Sequence, residues 1–431
     1  MDNSAIFQQL LAIYPEPPQA IATLTKEALF WQGKGKQQQL NLQDVVGVSV
    51  VDDRESQFPV LRLNTYPVVK RDRLKKPPRI LQEYYFTCPN LEMRSQWQQA
   101  INSTLAPKLR HLQVIINPVS GKKQASQIFE RVRPLFDRSY LKYTVRETYS
   151  TQDTQDYVRN LNLSNIDGLV IVGGDGTIHD AIVGLTTRPD WEKAIELPLG
   201  IIPGGTGNGL SKSLLQLRNE TYDPLNAAFL IAKGKQQNFD LAKVRQNKQK
   251  YYSFLSLAWG LISDVDIESE KFKFLGSLRF DLYALFLICL LRTYRGRFSF
   301  IPHPDCKSFQ HQAIEQQGQW QVIEDDFIFL WAMNTPWAAH DMNVTPYARL
   351  DDGAIDVLIM RKGTSRLELL KALLRCGKGE HLNLPHMEYY KVRSFRLEPL
   401  TQKGLLVVDG ELVDYSPIKM QIVSNLARVN C

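Results

Sequence analysis

The chain has 431 residues, of which 44% are hydrophobic and 23% charged. That apolar content excludes a disordered chain, and the length fills two to three domains. The formal net charge of +7 favours acidic partners, among which nucleic acid is set aside because the basic residues are dispersed and no nucleic-acid module is visible.

In chain order, residues 1–110 hold strand-like pieces at Leu29-Phe30-Trp31, Val45 to Val51, Val60 to Val69 and Tyr84-Tyr85-Phe86. They close on an amphipathic helix from Leu91 to Leu105 that carries Trp97 inward. Strands followed by one such helix resemble a pleckstrin-homology-like barrel, with an unrelated small β domain as the alternative. The basic run Lys70-Arg71-Asp72-Arg73-Leu74-Lys75-Lys76 ends at Pro77-Pro78. It reads as a solvated loop or as a contact for an anionic membrane surface. Met1 to Tyr14 lacks the basic start and apolar run of a secretory leader.

Residues 111–235 alternate strand and helix, the pattern of a doubly wound α/β nucleotide-binding domain. Leu112 to Ile116 leads through Asn117-Pro118-Val119-Ser120-Gly121-Lys122-Lys123 into a helix over Gln124 to Phe136. The apolar stretch Gly168-Leu169-Val170-Ile171 runs into Val172-Gly173-Gly174-Asp175-Gly176-Thr177, and Leu199 to Ile202 into Pro203-Gly204-Gly205-Thr206-Gly207-Asn208-Gly209 before a helix over Leu210 to Leu217. Glycines let the backbone approach a polyphosphate, and N–H groups at helix N-termini supply an anion-binding field. In a parallel sheet the three loops gather at the carboxyl edge, where open α/β folds bind ligands. Asp175 is either the acid/base group at that edge or simply a helix cap.

After Gly234 the texture becomes β-rich, with strands expected over Tyr251 to Trp259, Phe327 to Met333, Ala354 to Met360 and Leu405 to Val408. Helices are expected over Ser277 to Thr293 and Arg366 to Cys376, and Lys307 to Gln319 reads as a polar insertion. The strongest apolar run, Leu282 to Leu291, is half the length of a membrane span, so a soluble or peripherally attached cytoplasmic protein is expected. Cys88, Cys289, Cys306, Cys376 and Cys431 show no paired spacing, which fits a reducing compartment, and Cys289 is expected in the core. His340, His381 and His386 lack metal-ligand spacing, and no Gly-x-Ser-x-Gly nucleophile elbow occurs.

From about Leu112 onward these residues resemble the diacylglycerol kinase-like lipid kinases, and among them the sphingosine kinases. The general likeness lies in the three loops. The specific likeness lies in Leu255-Ser256-Leu257-Ala258-Trp259-Gly260-Leu261-Ile262-Ser263-Asp264-Val265-Asp266-Ile267-Glu268-Ser269-Glu270-Lys271, in Arg292-Thr293-Tyr294-Arg295-Gly296-Arg297 and in Val408-Asp409-Gly410-Glu411. The resemblance implies a small β domain (1–110), a nucleotide-binding domain (111–235) and a β-rich lipid-binding domain (236–431). It implies Asp175 as catalytic base, with ATP and Mg²⁺ as cofactors. Asn117, Ser120, Gly121, Lys122, Thr148, Gly173, Gly174, Gly176, Thr177, Gly204, Gly205, Thr206, Gly207 and Asn208 would line the nucleotide, with Thr151 and Thr154 as alternatives to Thr148. Lys273 and Arg279 would meet the phosphates, although a Lys at the first position departs from the Arg usual in sphingosine kinases. Asp409, Gly410 and Glu411 would contact nucleotide or metal, or else form a plain Asp-Gly hairpin turn.

Asp266, supported by Asp264, aligns with the carboxylate that meets the ammonium of a sphingoid base; both also read as surface or capping acids. Phe280, Leu282, Tyr283, Leu285, Phe286 and Leu290 are candidates for the tail sleeve. His179, one helical turn after Asp175, would orient that carboxylate or serve structure. The resemblance thus implies an ATP-dependent sphingoid-base kinase at an anionic membrane surface. A ceramide or diacylglycerol kinase would not need Asp266, and a non-catalytic lipid-binding protein would not need Asp175. NAD kinases share a Gly-Gly-Asp-Gly element but not the string from Leu255 to Lys271.

Overall fold

The computed structural model describes residues 4–33, 35–52, 56–68, 78–106, 109–119, 121, 123–275, 278–304 and 319–431. Lys70 to Lys76, Ser120, Lys122, Cys306 and residues 307–318 of the polar segment lie outside the described residues.

The N-terminal part is two four-stranded antiparallel sheets and a helix. One sheet is ordered Phe7–Leu10, Ile21–Leu24, Ala28–Gly33, Lys36–Asn41, the other Ala12–Ile13, Gln82–Thr87, Val60–Thr65, Val45–Val51. The third expected strand stops at Thr65, and the segment soon reaches Pro67, which has no N–H for a ladder. Helix α1 (Leu91–Leu105) is capped by the Asn90 side chain, which accepts from Met93 N–H. It buries Trp97 completely, 4.7 Å from the Phe7 ring, with the indole N–H donating to the Leu10 carbonyl.

The next part is a parallel sheet with both faces covered. Its elements are β1 (Arg110–Ile116), α2 (Ala125–Asp137), β2 (Leu141–Glu147), α3 (Thr151–Asn160), β3 (Gly168–Gly173), α4 (Asp175–Thr186), β4 (Leu199–Pro203), α5 (Gly209–Leu217) and α6 (Pro224–Lys233). The strand order is β2-β1-β3-β4, all parallel. Side chains alternate between faces: Val114, Val170 and Val172 pack under α2 and α6, while Ile115, Leu169 and Ile171 pack under α3 and α4. All three strand ends therefore open on one edge.

The rest is β-rich: β5 (Gln236–Gln246), β6 (Gln249–Ser253), β7 (Ser256–Gly260), α7 (Leu261–Glu268), α8 (Leu278–Leu290), β8 (Tyr294–Pro302), β9 (Gln321–Met333), β10 (Ile355–Arg361), α9 (Arg366–Cys376), β11 (Glu388–Pro399), β12 (Leu406–Val408), β13 (Glu411–Val413) and β14 (Ile418–Asn430). Long strands serve two neighbours in turn, since β9 pairs with β8 through Phe327 and with β7 and β10 beyond it. Trp259, Phe298, Phe327 and Phe395 fill the core between them. Strand β14 runs antiparallel to β5 and meets the parallel sheet where Val429 pairs with Leu199.

Three expectations need correction. The strand expected over Tyr251 to Trp259 is two strands, because Phe254, Leu255 and Ser256 turn their N–H groups toward the Asp409 carboxylate instead of a ladder. The helix expected to reach Thr293 ends at Leu290, and Leu291 takes a left-handed φ of 51°. Cys289 is exposed on α8, not in the core.

The N-terminal part docks on α6 through Arg79. Its guanidinium lies 2.7 Å from Asp44 and 2.6 Å from Glu220, 3.8 Å above the Phe229 ring. Gly47 admits the Arg138 carbonyl where a Cβ would stand 2.0 Å away. Because all three charges are largely buried, removing one strands the others. Arg79→Met should destabilise the protein by on the order of 3 kcal/mol, measured as a lower denaturant midpoint at unchanged slope. A shift below about 1 kcal/mol would match an exposed ion pair instead.

Candidate active site

The three strand-end loops are stitched together by backbone bonds. Asn117 N–H donates to the Val172 carbonyl, Gly204 N–H to Gly173 and Asp175 N–H to Gly207. Glycine is required where loops touch: a Cβ on Gly205 would stand 2.3 Å from Gly174 Cα, and one on Gly121 2.9 Å from Gly205 Cα. Asn208 staples the third loop, its amide donating to the Gly205 carbonyl at 2.8 Å. Asn117 accepts from Val119 N–H at 3.1 Å, a turn of the Asx kind.

Asp175 is the first residue of α4, with Gly174 as the cap, so it does not cap its own helix. Its carboxylate caps α5 instead, accepting from Gly209 N–H at 2.7 Å and Leu210 N–H at 3.4 Å. Burial pushes its pKa up to about 7, against those two bonds and with help from the nearby Asp409 charge. A helix N-terminus contributes about 0.3–1 kcal/mol in favour of the anion, less than one pKa unit, whereas full burial shifts a carboxylate by up to about 3–5 units. Burial therefore wins. The result is a carboxyl group held well above the ordinary aspartate range.

A cavity of about 510 Å³ runs from Gly121, Gly174, Asp175, Gly176, Thr206 and Gly207 past Ser256, Asp266, Arg279, Asp409, Gly410 and Glu411. It continues among Leu261, Val265, Phe280, Ala284, Ile288, Phe329, Leu369 and Met387. Its size suits a small-molecule ligand. Among the described residues no donor engages the Asp266 carboxylate. Burial raises its pKa to about 6 even though the Arg279 charge opposes the shift. Arg279 lies 4.5 Å from the Phe280 ring and keeps a buried Nη1 without a hydrogen-bond partner. An orphaned guanidinium donor and a cradle closed to any Cβ both fit a phosphate chain.

Other expected site residues lie elsewhere. Thr148 is fully buried, receiving a hydrogen bond from Thr154 at 2.8 Å. Thr177 is buried with its side chain folded against Gly173. Asp264 does not reach the cavity: Tyr294 donates to it, and Arg292 lies 3.3 Å away. Tyr283 and Phe286 are on the wrong face of α8, Tyr283 donating to Glu268 at 2.7 Å and Phe286 being 52% exposed. Leu282, Leu285 and Leu290 are likewise exposed, so the wall is Phe280, Ala284 and Ile288 at helical spacing. The Lys273 backbone lies in the turn Ser269–Leu275, and its side chain is outside what is described. Asp409 and Gly410 form the two-residue hairpin turn between β12 and β13. His179 turns to Asp409 rather than to Asp175, its Nδ1 lying 3.2 Å from Asp409 Oδ2. Sequence reasoning missed the chamber wall given by α7, β9 and α9, whose apolar periodicity is that of any core.

Residues 111–244 match the diacylglycerol kinase catalytic domain, and residues 290–431 the YegS C-terminal NAD kinase beta sandwich-like domain. A solved diacylglycerol kinase from Bacillus anthracis str. Sterne shares the fold at 18% identity and a TM-score of 0.52, covering 75% of this chain and 96% of that one. Fold and site together define a lipid kinase of the diacylglycerol kinase type. Sphingosine kinase 1 of Arabidopsis thaliana is 35% identical over 353 residues, 75% of this chain and 73% of that protein. Sphingosine kinase 1 of Homo sapiens is 34% identical over 348 residues, 74% and 90%. The chain belongs to the sphingosine kinase family.

Asp175→Asn should lower turnover by roughly 10²–10⁴. Because the folded pKa of about 7 lies above the unfolded value, ionised Asp175 costs stability that grows as pH rises between the two. The variant should therefore melt no lower than wild type above pH 7. Near-normal turnover in the folded variant would remove Asp175 from the base role.

Proposed function

We propose that the protein is an ATP-dependent kinase that phosphorylates the primary hydroxyl of a sphingoid base. The reading is carried by one observation: Asp175, near neutrality in its pKa, and Asp266, a half-buried carboxylate that no donor among the described residues engages, line the same partly apolar cavity. ATP would supply the phosphoryl group and Mg²⁺ would offset its charge, while the glycine loops with Arg279, and Lys273 by resemblance, would hold the phosphates. Asp175 accepts the hydroxyl proton as the oxygen bonds to phosphorus and the bond to the departing ADP oxygen breaks. Asp266 receives the ammonium, and the apolar chamber takes the tail.

The same reading assigns residues 1–110 to a pleckstrin-homology-like part, 111–235 to nucleotide binding and 236–431 to lipid binding. Two antiparallel sheets closed by α1 support the first of these. We also assign the protein to the cytoplasmic face of a membrane. Helix α8 supports this, since its inner face lines the lipid chamber while Leu282 and Phe286 on its outer face are 55% and 52% exposed. Among the described residues no helix is long and apolar enough to cross a membrane.

Asp266→Asn should cost about 2–4 kcal/mol in kcat/KM for sphingosine, since it leaves a buried cation without its counter-charge. Trace turnover of ceramide or diacylglycerol should hardly change. Equal losses on charged and neutral lipids would make Asp266 structural, and wild-type turnover of neutral lipids alone would replace the sphingoid assignment. Leu282→Gln with Phe286→Gln should weaken sedimentation with lipid vesicles while leaving turnover of detergent-dispersed sphingosine intact. Unchanged sedimentation would remove α8 from the membrane contact.

A further inference from the structure

Asp409 is surrounded by donors. Its Oδ1 accepts from Ser253 Oγ at 2.7 Å, Leu255 N–H at 3.0 Å and Ser256 N–H at 2.9 Å, and its Oδ2 from Phe254 N–H at 3.1 Å. All four lie from the end of β6 to the start of β7. The carboxylate therefore has little capacity left for a ligand, although the turn that carries it lines the cavity together with Ser256 and Glu411.

The fifth contact comes from the other side of the cleft. His179 lies on α4 four residues after Asp175, on the same helix flank. Its Nδ1 sits 3.2 Å from Asp409 Oδ2. This bond ties the helix that starts with the proton acceptor to the sheet that forms the lipid side of the cavity. The charged groups facing His179 are Asp409 and Glu411 from the β12–β13 hairpin and Asp180 from α4 itself. Asp409 in turn acts on Asp175, holding its carboxyl group further toward the protonated form, and on Tyr251 of β6.

We propose that His179 is the positioning residue that, through its hydrogen bond to Asp409, registers Asp175 against the lipid side of the cavity. The proposal rests on the kinase reading above. Burial works against the charged ring, but Asp409, with Asp180 and Glu411, outweighs it and holds the His179 pKa above its ordinary value.

The test uses the full chain, sphingosine micelles and ATP between pH 6 and 9, with melting curves as a folding control. His179→Ala should lower kcat on the order of 10–100-fold, with both KM values within about threefold, the expected scale for misplacing a reacting group. His179→Gln keeps a donor for Asp409 but no charge. It should recover part of kcat, because the tie between α4 and the hairpin is kept. An unchanged kcat in His179→Ala, an effect confined to KM, or no recovery in His179→Gln overturns the proposal. If wild type fails to turn over sphingosine, the lipid assignment falls, and the pairing is still read by ¹⁵N-histidine NMR. The His179 ring resonances should shift in Asp409→Asn, as its hydrogen-bond partner changes. Resonances unmoved by Asp409→Asn overturn the pairing.

Discussion

Gly174 and Gly205 meet backbone to backbone, with room for no Cβ between them, and the position of Asp175 follows from that contact. The close approach brings the start of α4 against the start of α5, so that the carboxylate of one helix can cap the other. It also excludes water from the carboxylate, which is the source of its raised pKa. A larger residue at either glycine would separate the loops, hydrate the acid and return its proton affinity toward that of an ordinary aspartate.

The site is locally acidic on a chain that is positive overall. Asp175, Asp266, Asp409 and Glu411 all line the cavity, while Arg279 is a cation set among them. An arrangement of that kind repels a bare polyphosphate and accepts one whose charge has been offset, consistent with a nucleotide entering as its metal complex. It also rewards an ammonium over a neutral head group at the lipid end. The positive excess therefore lies elsewhere on the molecule, too far from the acids inside to weaken them.

Much of the fold was legible because its signals are local. Helix α1 has the bounds expected from its pattern, with Asn90 as its cap, and α9 begins at a Ser365–Glu368 capping box that spacing alone suggests. The glycine loops were legible as places of close backbone approach, and Gly174 and Gly205 do touch where no Cβ fits. What escaped depends on distant partners. The break at Phe254 and Leu255 requires Asp409, more than 150 positions later. The withdrawal of Asp264 from the cavity requires Tyr294 and Arg292. Helix α8 is apolar around most of its circumference, so nothing in its sequence told Phe280, Ala284 and Ile288 from Tyr283 and Phe286.

Strand β14 has a temporal meaning. It lies between the parallel sheet and the β-rich part, pairing with β4 through Leu199 and Val429 and with nearly the whole of β5. Residues 199 and 429 are 230 positions apart, so on a ribosome working at about 5–20 residues per second the edge of β4 waits on the order of ten to fifty seconds for its neighbour. During that interval the nascent parallel sheet carries an open hydrogen-bonding edge beside a nearly finished core, the kind of surface that recruits chaperones or a second nascent chain. Closing the sheet thus comes late relative to the folding of β4, and damage to β14 should act first on the yield of folded protein rather than on its chemistry.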